Sequence, residues 1–169
     1  MTSQVMAAPP DLCQPQPMAD TDAPPTAGDP SGVDAATAAL HQLMPLCATL
    51  GMREVSAAPH QVVLALDFRP DLCTVNGLLH GGTVMALADA AGGYCASLNL
   101  PEGAVGTSTI ESKSNFIGGV RQGTLTATST PLHRGGSTVV IETELRDDAG
   151  KLVAKTTQTQ TVLRPRPPS

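Results

Sequence analysis

Residues 81–98, GGTVMALADAAGGYCASL, constrain this chain most. Val84, Ala88, Ala91, Cys95 and Leu98 step by 4, 3, 4 and 3, the spacing of one helical face, and Leu87 and Tyr94 widen it. A helix this apolar is mostly buried, so something must cover it. The segments after it supply the cover. Residues 105–117, 122–132, 137–147 and 151–163 read as strands, and FIGGVRQG, HRGGS and DDAGK between them read as turns. Within STVVIETELRD, Val139, Ile141, Thr143 and Leu145 alternate with Val140, Glu142, Glu144 and Arg146. One face is packed and the other partly solvated, as in an antiparallel sheet. Upstream, residues 34–51 read as a first helix that Asp34 caps and Pro45 ends or kinks. Two short strands in 52–68 and a turn-rich loop, 69–79, follow. The order predicts an α+β fold, a single antiparallel sheet wrapped around one long central helix. Such a sheet leaves its far face and edges open, and pairing two of them in a dimer is a natural remedy.

Residues 1–32 hold seven prolines among Asp, Gln, Ala and Gly, and read as a disordered, Pro-rich leader. Residues 164–169 form a second Pro-rich tail, which leaves one domain over 33–163. Aromatics make up 2% of the chain and Trp is absent, so the core must be built from aliphatic residues and Met. A net charge of −5 argues against binding nucleic acid, which needs clustered positive charge. Cys13, Cys47, Cys73 and Cys95 form no C-x-x-C pair and read as free thiols of a reducing compartment. No His/Cys/Asp cluster has metal-ligand spacing, and neither a metal nor a cofactor is expected. No window approaches the ~20 apolar residues of a membrane span, and no signal peptide is evident, so a cytoplasmic protein is expected. His41 and His60 read as surface residues.

Asp89 is out of place in such a helix. Its neighbours at i±3 and i±4 are Met85, Ala86, Gly92 and Gly93, so no cation pairs with it there. Two interior glycines cost a helix about 1 kcal/mol each relative to Ala. A helix that accepts this keeps room beside the carboxylate, suited to an acyl group or to a facing subunit. Ahead of it, Gly81 and Gly82 open the helix at its electropositive end, where backbone N–H groups lack partners.

The run NGLLHGG…LADAAGG, the later NF and LHRGGSTVVIETELRDDAGKLVA resemble the hotdog-fold acyl-CoA thioesterases over residues 35–163. The branch is that of phenylacetate degradation and 4-hydroxybenzoyl-CoA hydrolysis. The resemblance implies hydrolysis of an aryl- or medium-chain acyl-CoA to free acid and CoA. It also implies a homodimer with active sites shared between subunits, often a dimer of dimers. In its terms the Gly81 N–H polarises the thioester carbonyl, and Asp89 is nucleophile or general base. His80 supports the loop or touches the sulfur side. Thr109, seven residues before Phe116, holds the attacking water, with Ser108 and Ser112 nearby. Relatives carry Asn or Gln six residues before the histidine; here that position is Thr74, with Asn76 two residues on, so either the loop is shifted and Asn76 takes this catalytic role or a hydroxyl fills it. Gly82 and Met85 would line the substrate site, with Gly92, Leu78 and Leu79 beside the acyl group. Arg134, Gly135, Gly136 and Ser137 would meet the CoA phosphates, with Lys113 and Arg121 as further cations.

The alternative is a non-catalytic acyl-CoA binding or regulatory module of the same fold. Such modules typically carry a DNA-binding domain, and loss of the carboxylate would favour one; Asp89 is present. The motifs of hotdog dehydratases and hydratases are absent.

Overall fold

The computed structural model describes residues 34–166. The predicted leader, Cys13 and the last three residues of the tail lie outside them.

Helix α1 (Ala35–Leu43) begins where the Asp34 carboxylate accepts a 2.7 Å bond from the Thr37 N–H. The expected single helix over 34–51 is two helices. Met44 leaves helical geometry at φ −129°, and Pro45 opens α2 (Pro45–Leu50) at a position where its missing N–H costs nothing. Gly51, in the left-handed region at φ 74°, turns the chain into β1.

Strand β1 (Met52–Ala58) and strand β2 (Gln61–Asp67) precede a 3-10 turn at Pro70–Leu72 and helix α3 (Gly81–Ser97). Strands β3 (Gly106–Phe116), β4 (Thr124–Arg134), β5 (Thr138–Arg146) and β6 (Leu152–Leu163) complete the chain. They form one antiparallel sheet in the order β1-β2-β4-β5-β6-β3. The crossover through α3 carries the chain from one side of the sheet to the far edge, so the helix spans the inner face. Val84, Leu87, Ala88, Ala91, Cys95 and Ala96 are buried there, among Leu64, Leu66, Leu125, Ala127, Ile141 and Leu145 of the strands. This is the predicted hotdog arrangement. The alternation expected in β5 holds, with Val139, Ile141, Thr143 and Leu145 buried. Leu98 falls just beyond the helix and is partly exposed, so the apolar stripe ends at Cys95.

Two features prepare the site. The sheet beneath α3 also buries Ser129, Thr143, Thr156, Gln158 and Gln160, a polar band in an aliphatic core. Its hydroxyls pair: Ser129 with Thr143 at 2.7 Å, and Thr156 with Ser114 at 2.7 Å. The second feature is β3, an edge strand 11 residues long with a bulge between Thr109 and Glu111. Ile110 stands at that bulge with 62% of its surface exposed.

Candidate active site

The entry to α3 is held by backbone bonds. The Leu79 N–H donates to Val120 O and the His80 N–H to Leu72 O, at 2.9 and 2.8 Å. His80 then caps the helix. Its Nδ1 accepts from the Gly82 N–H at 2.8 Å, and its carbonyl accepts from the N–H groups of Thr83 and Val84. A Cβ on Gly82 would sit 2.9 Å from that Nδ1, so this glycine makes room for the capping ring. A neutral imidazole that accepts at Nδ1 carries its proton on Nε2. Of the first-turn donors only the Gly81 N–H has no acceptor among the described residues. The Phe116 ring stands over Gly81, 3.4 Å from where its Cβ would be.

Asp89 lies about two turns further along α3 and is exposed. Its Oδ1 accepts from Gln158 Nε2 of β6, and Thr109 Oγ1 of β3 donates to the same oxygen at 3.5 Å. Thr109 Oγ1 in turn accepts from Gln158 Nε2 at 3.1 Å and from Gln160 Nε2 at 2.7 Å. The room at Gly92 is therefore filled from within: the Gln158 amide lies against it, and a Cβ there would overlap Gln158 Oε1. This replaces the expectation that the glycine opens space for an acyl group. The sequence reading did not single out either glutamine. The available signal was Gln158 and Gln160 in alternation, on the strand face that Ala154 and Val162 bury.

The open face of α3 carries Gly82, Met85, Asp89 and Ser97, with Ala86, Ala90 and Gly93 half-buried. Apart from the Asp89 carboxylate and the Ser97 hydroxyl it is apolar. Burial pushes the thiols of Cys47 and Cys95 above the ordinary range, which argues against either as a nucleophile. Among the described residues no three His, Cys, Asp or Glu side chains form a group that could hold a metal ion.

The thioesterase superfamily model matches residues 76–154, the span from Asn76 through α3 to the start of β6. Two of the curated relatives that bear the name "Putative esterase" illustrate the likeness. One, from Saccharolobus solfataricus, is 30% identical over 115 residues, covering 68% of this chain and 81% of the relative. The chain belongs to the thioesterase superfamily. The other, from Vibrio cholerae, is 36% identical over 91 residues, and the match spans 54% of this chain and 60% of that protein. The 1,4-dihydroxy-2-naphthoyl-CoA hydrolase of Listeria monocytogenes is 29% identical over 110 residues, 65% of this chain and 89% of that enzyme. A solved thioesterase of Haemophilus influenzae aligns at TM-score 0.67 and 27% identity, over 74% of this chain and 90% of its own. The E. coli PaaI protein of the phenylacetic acid degradation operon shares the fold at TM-score 0.69 and 22% identity, over 76% and 91% of the two chains.

The other expected site residues of this thioesterase fall in three places. Thr74 and Asn76 lie in a tight turn, closed by the Thr74 N–H on Leu78 O, and the Asn76 carbonyl accepts from Arg121 at 2.6 Å. No side-chain hydrogen bond ties Asn76 or Thr74 to α3 among the described residues. Met85 stands one turn before Asp89, on the same open face, 42% exposed. The HRGGS hairpin joins β4 to β5 near the C-terminal end of α3, where Arg134 bonds the Pro59 carbonyl that Asn99 also bonds. In one protomer it is therefore remote from Gly81. The Gly135 N–H is spent on Thr138 O, whereas Gly136 faces open space and Ser137 is exposed. Arg164 reaches the Gly136 carbonyl at 3.1 Å, a second guanidinium at this hairpin that the tail reading passed over.

Proposed function

We propose that this thioesterase hydrolyses an aryl- or medium-chain acyl-CoA, with the Gly81 N–H as carbonyl activator and Asp89 as general base, at sites shared by two subunits. The observation that carries the reading is the combination of one unsatisfied N–H at the start of α3 with one carboxylate on the helix's open face. The aryl alternative draws support from the Listeria relative, whose named substrate is a naphthoyl thioester.

The open surfaces of the chain support the sharing. Gly81 and Asp89 are eight residues apart on one rigid helix, about 12 Å along its axis. A carbonyl held by an N–H at ~3 Å and attacked by a water from ~3.3 Å, with the carboxylate a further ~2.8 Å behind the water, spans roughly 10 Å in all. The family resemblance puts the two ends of that reaction on different subunits. A second copy, with its helix antiparallel, brings its Asp89 to the first copy's Gly81. The apolar open face of α3 and the unpaired edge of β3 are surfaces that fit such a partner.

The reaction then runs as follows. Water, beside Asp89 and the Thr109 hydroxyl, loses a proton to the carboxylate as its oxygen attacks the thioester carbon. Negative charge gathers on the carbonyl oxygen, where the Gly81 N–H strengthens its bond. Collapse of the tetrahedral species breaks the carbon–sulfur bond, and the CoA thiolate takes back a proton. The hydroxyl beside the carboxylate supports the base reading over direct attack. His80 acts through the loop, because its Nδ1 is committed to the cap. Arg134 and Arg164, with Gly136 and Ser137, suit the CoA phosphates. The same test covers the non-catalytic acyl-CoA module.

The test follows free-thiol release from a panel of acyl-CoA thioesters, with Asp89→Asn alongside. Hydrolysis of one acyl class, and a fall of at least ~100-fold in the variant (about 2.7 kcal/mol of barrier) with an unchanged fold, is expected. Binding of acyl-CoA without thiol release would replace the enzyme reading with the regulatory module.

A further inference from the structure

We infer that Gln158 and Gln160 are positioning residues, a pair of buried amides that fixes the direction of the Thr109 proton and selects the reacting oxygen of Asp89. The inference rests on Asp89 and Thr109 forming the water-activating pair proposed above.

A hydroxyl has one proton and two lone pairs. Gln158 and Gln160 each donate an Nε2–H to Thr109 Oγ1, so both lone pairs are taken. Thr109 can then only donate. Its nearest acceptor is Asp89 Oδ1 at 3.5 Å, long for an O–H···O bond, so the proton is available to a water oxygen beside the carboxylate. Thr109 holds the water and cannot take its proton; that falls to Asp89. Gln158 also occupies Asp89 Oδ1, whereas Oδ2 has no donor among the described residues. Oδ2 is thus the oxygen that accepts the proton.

The cost of the arrangement argues against packing as its reason. Gln158 and Gln160 are 0% and 1% exposed. Gln158 Oε1 is buried with no hydrogen-bond partner, lodged against Gly92. Filling this space calls only for an apolar side chain, such as the neighbouring Val162. Here α3 gives up a side chain at position 92, and the sheet buries an unanswered carbonyl, to bring one N–H donor to Asp89 and Thr109.

The experiment compares Gln158→Leu, Gly92→Ala, Gln158→Ala and the double variant Gly92→Ala/Gln158→Ala, by kcat, KM and melting temperature. Gln158→Leu is expected to lower kcat at least tenfold, leave KM within twofold, and keep or raise the melting temperature. Gly92→Ala displaces the amide and lowers kcat similarly, yet costs nothing further when Gln158 is already Ala. Unchanged kcat in Gln158→Leu, with an active wild type, overturns the clamp and leaves the hydrolase reading standing. A wild type inactive on every thioester sinks that reading instead, and the clamp is then judged by NMR. Slowly exchanging side-chain NH2 signals of both glutamines, with that of Gln158 shifting in Asp89→Asn and Thr109→Val, support it. Fast exchange and no response overturn it.

Discussion

At the residue scale, the Gly81 N–H can be deleted almost alone. Proline is well tolerated at the first position of a helix, and it prefers a preceding residue with extended ψ. His80 supplies that at φ −63°, ψ 136°. Gly81→Pro is therefore expected to keep the fold, seen as a melting temperature within a few degrees. It should lower kcat by roughly 10²–10³, the usual loss for one oxyanion donor. His80 separates capping from chemistry. His80→Asn keeps a side-chain cap acceptor and should retain most activity, whereas His80→Ala frays the start of α3 and should lose it. Equal loss in both would give the imidazole a direct part in the reaction, read from kcat/KM. Gly81, His80 and Asp89 were proposed from the sequence because the spacing within HGG…D is local and survives in the linear chain. The glutamines were not, because Gln158 meets Asp89 across 69 residues and reads as one more polar strand residue.

At the scale of elements, the helix and strands were legible nearly to their ends, since periodicity and turn residues act locally. Pro45 marked the break between α1 and α2, but the sequence left open whether it ends or kinks one helix. The strand order was not legible, because no local signal says that β3 leaves its neighbours to pair with β6 at the edge. The opposite side of the sheet offers a pH test. Asp67 of β2 accepts from Arg53 of β1 and Thr124 of β4, each at 2.8 Å. Desolvation, the largest single influence on this carboxyl, raises its pKa, but the Arg53 and Thr124 bonds together outweigh it and hold it below the ordinary range. A depressed pKa in the folded state means stability that is complete above the unfolded value of about 3.9 and lost as pH falls through the folded one. Asp67→Asn should flatten that part of the stability–pH curve and leave the neutral region little changed, because the pair is largely exposed. An identical acid limb in chemical denaturation would show that the bonds do not hold in solution.

At the scale of the whole molecule, the described residues leave apolar surface uncovered at one edge of the sheet. Val105, Ile110, Phe116 and Ile117 lie on or beside the β3 edge, each more than half exposed. An 11-residue edge left open among the described residues and dressed with apolar side chains invites another strand. Sedimentation should show a dimer or a multiple of it, and Ile110→Lys should shift it towards monomer and abolish activity together. Shared sites make a sharper prediction. Gly81→Pro and Asp89→Asn, each inactive alone, are mixed and allowed to exchange subunits. A mixed dimer holds one site with both lesions and one with none, so about a quarter of wild-type activity should return at equal amounts. No recovery after verified exchange would return the whole site to a single chain.

The placement of donor and carboxylate on one stiff helix reaches further than either residue. In a dimer with shared sites, each α3 is a rod with a working end in both reaction chambers. An acyl group that pushes the rod in one chamber moves the carboxylate in the other by the same amount. Load in one chamber is therefore felt in the other. Bulky substrates should show rate curves that depart from a simple hyperbola, whereas small ones that leave the rod at rest should not.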